Sequence, residues 1–261
     1  MERLAIFTAI DGTLLDPCTF DPGAARPLLH RLSAMAIPVV PVTVMTLEEL
    51  APLAAELGMR HAMIVEAGGA IARWKNDAWE VEPFGPPADA LLDVIAEIEE
   101  RSGANLLVYS ALPDADAARV SGRSGEMLRA STHRAYSEPF LLESGELDAV
   151  IDAAAAIGFS IRRGRRFLHL CRESREGEAF ARIREELRCD VAIGAGGSPV
   201  DAGFLAGCDV AIIVPRPDGE PDAELLSSVP RARVAPAPGP EGWAAAIDDA
   251  IVPDAVRRLR R

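Results

Sequence analysis

Cysteine is scarce and poorly spaced for a structural role: Cys18, Cys171, Cys189 and Cys208 form no CxxC pair and lie among aliphatic residues. This excludes a zinc ribbon and a disulfide framework, and reduced, buried thiols are expected. Positive charge is also in short supply. Lys plus Arg number 27 against 40 Asp plus Glu, for a formal net charge of −13, which repels phosphate backbones and acidic membrane surfaces over most of the molecule. Nucleic acid and membrane are therefore not expected as partners. No stretch reaches the ~18 uninterrupted apolar residues of a membrane span. The apolar run at 4–10 is cut by Asp11 and lacks a cleavage-like sequence after it, so a cytoplasmic protein is expected. Internal repeats and low-complexity tracts are absent too, leaving 261 residues for one large or two modest domains.

What is present is a βα rhythm. Apolar, β-rich runs at 4–10, 37–43 and 62–65 alternate with helical patterns, the signature of a parallel sheet with crossover helices. Leu28, Leu29, Leu32 and Met35 recur at helical spacing, and Thr46 with Glu49 reads as a capping box, although Pro52 predicts a kink or a short first segment in that helix. Trp74 and Trp79 flank Asn76 and Asp77 as a hairpin would. Gly85-Pro86-Pro87 reads as a linker. A helix through Leu91, Leu92, Ile95 and Ile98, strands near 105–110 and 140–143, a helix over 146–157 and a strand pair across 159–170 then form a second βα unit. The first rhythm returns with a helix carrying Ala179, Phe180, Ile183 and Leu187 and strands at 191–195 and 210–214. The expected architecture is α/β: a Rossmannoid parallel-sheet core of residues 1–83 and 168–261 with an inserted α/β cap domain, 84–167.

Ligands of such sheets bind where strands end. The segment IFTAIDGTLLD places Ala9, Asp11, Gly12 and Thr13 at the end of the first strand. It is similar to the DxDGT motif of haloacid dehalogenase-like (HAD) phosphatases, here AxDGT. PVVPVT ending at Thr43 resembles that superfamily's second motif. VEAGGAI at 65–71, AYSEPFLL at 135–142, GRRFLHL at 164–170 and PAPGPEGW at 236–243 resemble segments of mannosyl-3-phosphoglycerate phosphatases.

The resemblance implies a nucleophilic aspartate at position 9, an acid/base at Asp11, a phosphoryl-holding hydroxyl at Thr43, and a ligand cleft that includes Gly12, Thr13, Gly68, Gly69, Arg166, His169, Ser198 and Asp201. It also implies a neutralising lysine in the third motif and a magnesium ion held by two carboxylates and the Asp11 carbonyl. Ala9, Glu176 and Gly197 stand at the nucleophile, lysine and metal-aspartate positions. A methyl group cannot attack phosphorus, and with both carboxylates gone no metal and no cofactor are expected. Three replacements on three motifs point to natural loss.

Arg175, beside Glu176, is a candidate substitute cation. Asp11, Thr43 and Asp201 also fit a role as caps of turns and helix starts, and the run Arg162, Arg163, Arg165 and Arg166 fits either an anion pocket or a solvated strand edge. Arg166 and His169 fit either a ligand carboxylate or cap-domain carboxylates. The leading expectation is a non-hydrolysing ligand-binding or regulatory homologue whose partner is a small anionic ligand, a phosphorylated or carboxylated sugar. The alternatives are an enzyme using Asp11 for proton transfer without a phosphoenzyme, and an active sugar phosphatase.

Overall fold

The computed structural model describes residues 2–171 and 175–252. The chain opens with β1 (Leu4–Thr8), α1 (Ala25–Ala34), β2 (Val39–Pro41), α2 (Leu47–Glu56), β3 (Ala62–Val65), β4 (Ala70–Lys75) and β5 (Ala78–Pro83). An insertion follows with α3 (Ala88–Ser102), β6 (Asn105–Val108), α4 (Asp114–Ser121), α5 (Gly125–Thr132), β7 (Pro139–Ser144), α6 (Leu147–Ala156), β8 (Ser160–Arg163) and β9 (Leu168–Cys171). The first unit resumes with α7 (Arg175–Glu186), β10 (Val191–Gly196), α8 (Ala202–Leu205), β11 (Val210–Ile213), α9 (Ala223–Ser228), β12 (Arg233–Val234) and α10 (Gly239–Ala250).

The core sheet has the order β12-β11-β10-β1-β2, every pair parallel. Central strands of such a sheet are apolar on both faces because helices cover both. In β1, Ile6 packs on the side of Leu29 and Trp243, while Ala5 and Phe7 pack on the side of Phe180 and Phe204. An isolated parallel bridge, Val42 to Ile64, carries the sheet on to β3, which heads the antiparallel hairpin β3-β4-β5. There Trp74 faces Trp79 across a turn whose Asn76 and Asp77 have φ of 51° and 58°, the left-handed pair of a tight hairpin.

The insertion forms an antiparallel sheet, β6-β7-β9-β8, with its own core of Leu91, Ile95, Ile98, Phe140 and Val150. Because β9 pairs with β7 and β8, residues 168–171 belong to the cap sheet, and the expected return to the core at 168 falls inside that strand. Helix α2 also departs from expectation: it runs through Pro52 without a break. Pro52 and Glu48, whose carbonyl loses its hydrogen bond, are both exposed, so water replaces the missing donor. The cysteines differ among themselves: Cys18 is exposed, Cys189 half-buried and Cys208 buried, all three free, while the side chain of Cys171 lies outside the described residues.

Candidate functional site

Because β1, β2 and β10 run parallel, their carboxyl ends deliver residues 9–13, 42–46 and 196–201 to one edge, beneath the cap. The ends are fixed by cross-strand bonds: Ala9 N–H donates to the Ala195 carbonyl and Val42 N–H to the Thr8 carbonyl, each at 2.8 Å. The Thr8 hydroxyl donates to the Ala9 carbonyl and accepts from the Trp243 indole at 2.9 Å. A cavity of about 50 Å³ lies at this seam. Its lining includes Ala9, Asp11, Thr43, Glu49, Arg123, Arg134, Arg165, Arg166, His169, Ser198 and Asp201. Four arginines thus face three carboxylates there, a reversal of the molecule's overall acidity.

The cap supplies the cations. In the β8–β9 turn, Arg165 Nε donates to the Asp11 carbonyl at 3.0 Å and its Nη2 to the Gly12 carbonyl at 2.7 Å. Arg166 Nη1 donates to Asp11 Oδ2 at 3.2 Å, and Arg123 Nη2 lies 3.6 Å from the same oxygen. Arg123 also pairs with buried Glu49 at 2.7 Å, and Phe20 stacks against Arg123 and Arg166 at 5.2 and 5.5 Å, a cation–π contact that lowers the cost of bringing two guanidinium groups together. Arg134 is committed to structure: it donates to the Val44 carbonyl at 2.6 Å and to Ser131 and Ser137. The basic run is therefore no solvated strand edge at Arg165 and Arg166. Arg166 meets the core's Asp11, not a cap carboxylate.

The other expected residues divide. Thr43 accepts from Met45 N–H at 3.1 Å and lines the cavity. Ser198 and Asp201 form a capping box in which Asp201 Oδ2 accepts from Gly197 N–H, Ser198 N–H and the Ser198 hydroxyl at 2.8, 2.8 and 3.1 Å. Burial raises the Asp201 carboxyl above its ordinary value despite these donors. His169 is buried, and desolvation, aided by Arg134, pulls its imidazole down to about 3, so it is neutral near pH 7. Gly12, Thr13, Gly68 and Gly69 do not line the cavity. Thr13 is fully buried. Gly68, at φ +82°, lets α7 approach so closely that a Cβ would lie 2.8 Å from Glu176 N, and Gly69 packs on Tyr136.

Glu176 stands outside the cavity lining as well. Its carboxyl is buried against Gly203, with Phe204 N–H as donor, and burial followed by the charge of Asp201 raises it well above the ordinary carboxylate range. The expected negative charge at the third motif is thus displaced from the cleft, and burial disfavours it there. Arg175 does not line the cavity; the cation there is Arg165. Arg123, Arg134 and Glu49 were not recognisable as site residues from their sequence neighbourhoods, since only the fold of the α4–α5 segment brings these two arginines to the strand ends.

The residues do not fit the magnesium ion that the resemblance implies. Positions 9 and 197 offer no carboxylate, the Asp11 carbonyl accepts from Arg165, and Asp201 Oδ2 already has three donors. Among the described residues no three His, Cys, Asp or Glu side chains gather as a metal site.

Solved structures share this architecture. A haloacid dehalogenase-like hydrolase from Bacteroides thetaiotaomicron superposes with a TM-score of 0.63 at 16% identity, covering 94% of this chain and 98% of its own. The sucrose-phosphatase of Synechocystis sp. PCC6803, solved with sucrose and phosphate, gives 0.59 at 14% identity over 96% and 97%. The parallel core with a cap inserted over its strand ends is thus the fold of these hydrolases. No family model matches the chain. Over 267 residues it is 31% identical to the glucosyl-3-phosphoglycerate/mannosyl-3-phosphoglycerate phosphatase of Methanococcoides burtonii, covering 94% of this chain and 96% of that one. The chain belongs to this phosphatase family.

Proposed function

We propose that this chain binds a small phosphorylated or carboxylated sugar in the seam between cap and core, as a ligand-binding or regulatory protein, and does not hydrolyse it. The observation that carries the reading is Ala9: the strand-end position that needs a nucleophile holds a methyl group, within a cavity bordered by four arginines. Guanidinium groups suit bidentate capture of phosphate or carboxylate. The relatives' substrates, glycosylated phosphoglycerates by their names, carry both groups and support this ligand class. The pairing of Asp11 with Arg166 and Arg123 weighs against its use as a free acid/base. No described helix is long and apolar enough to cross a membrane. A cytoplasmic setting without nucleic-acid partners belongs to the same proposal, supported by the net charge of −13.

The test is phosphate release from an aryl phosphate and from mannosyl-3-phosphoglycerate, with magnesium present, for the parent and for Ala9→Asp. Neither protein should release phosphate above background. A carboxylate at 9 would join Asp11 without a metal or lysine to offset its charge, and each missing electrostatic stabiliser costs about 10² to 10³ in rate. Turnover by the parent would sink the non-hydrolysing reading. Turnover by the single variant would show that position 9 alone had disabled the site.

A further inference from the structure

Two backbone carbonyls at the end of β1, those of Asp11 and Gly12, converge on a single cation, and that cation is the cap's Arg165. Glycine on both sides leaves the room that it occupies. A Cβ at Gly12 or at Gly197 would overlap the Arg165 guanidinium, and at Gly197 it would also lie 2.9 Å from the Val214 carbonyl. An aspartate at 197 would therefore need both the arm and the Val214 carbonyl to move.

We propose that Arg165 is the site's resident cation, filling the place at the strand ends where a divalent ion would otherwise bind, so that the cleft captures phosphate or carboxylate groups without metal. The ligand class rests on the function proposed above; the exchange of arginine for metal does not. The chemistry is consistent on three counts. The guanidinium occupies the Asp11 carbonyl, the backbone oxygen that the resemblance assigns to the metal, and the Gly12 carbonyl beside it. It stays protonated even though burial draws it below its ordinary value, because arginine does not deprotonate in proteins. It also repels a second cation, while the nearby carboxylates are already engaged, Asp201 by the Gly197 and Ser198 N–H groups and Asp11 by Arg166 and Arg123.

Two arms test this. In the first, calorimetry follows magnesium binding to the parent, to Ala9→Asp/Gly197→Asp, and to the same double variant with Arg165→Ala added, each checked for folding by circular dichroism. The expected result is no one-to-one site in the parent, a site in the triple variant, and at least tenfold weaker binding, about the worth of one charged contact, when Arg165 is kept. Equal magnesium affinity with and without Arg165, or no site in the folded triple variant, would overturn the proposal.

In the second arm, which needs no core substitution, inorganic phosphate is titrated into the parent and into Arg165→Ala, in EDTA and in magnesium. The parent should bind equally in both media, and Arg165→Ala should bind about tenfold or more weakly in both. Binding by the parent only in magnesium would overturn the exchange while leaving the binding function standing. Hydrolysis by the parent would overturn the function while the magnesium series still decided the exchange.

Discussion

Glu176 turns its carboxyl away from the cleft, onto the backbone at Gly203 and Phe204. Burial, with Asp201 nearby, keeps it protonated above the pH at which an exposed glutamate ionises. The folded value is raised, so stability is fully present below the unfolded value of about 4.5 and is lost as pH rises through the folded value. Glu176→Gln copies the neutral form. Thermal unfolding of parent and variant should coincide near pH 4, with the variant more stable at pH 8; a variant less stable at both pH values would mean that the ionised carboxylate is needed. At this scale the sequence was informative wherever a residue sits inside a motif: Asp11, Thr43, Arg166, His169, Ser198 and Asp201 all border one cavity. Arg165, in the same segment as Arg166, stood out only as part of a basic run, because no local pattern encodes its reach to carbonyls 154 and 153 positions away.

Elements join cap to core through a small set of polar ties. Glu66 and Ala67, at φ of 52° and 56°, adopt a backbone region costly for residues with a side chain. The reason is visible in the contacts: the Glu66 carboxylate accepts N–H groups from Tyr136 and Ser137 at 2.9 and 3.0 Å. At the start of α2 the Thr46 hydroxyl accepts from Glu49 N–H at 3.1 Å and donates to the Ala130 carbonyl of α5 at 3.0 Å, so one side chain both caps a core helix and holds a cap helix. Thr46→Ala should lower stability in urea by about 1–2 kcal/mol, the usual worth of an N-cap; no measurable change would mean that neither bond contributes. The capping box was legible because it depends on two residues three apart. So were the core strands, whose apolar runs follow from cover on both faces. Helices α4 and α5, eight residues each and polar on average, carry too few apolar positions to stand out, and β12 has two residues.

In the whole molecule, the cap rests on the strand ends with a cavity of about 50 Å³ between them, enough for a few waters but far below the ~300 Å³ of a small-molecule site. Under the proposed function a sugar phosphate would have to loosen cap contacts there, among them those of Arg166 to residues 11 and 17. Capture without cleavage is directly observable by phosphorus NMR of mannosyl-3-phosphoglycerate mixed with the parent protein and magnesium. The ester resonance should shift or broaden as protein is added, with no inorganic phosphate signal growing over days; a steadily rising inorganic phosphate signal, or an ester resonance that does not respond to protein at all, would contradict the claim.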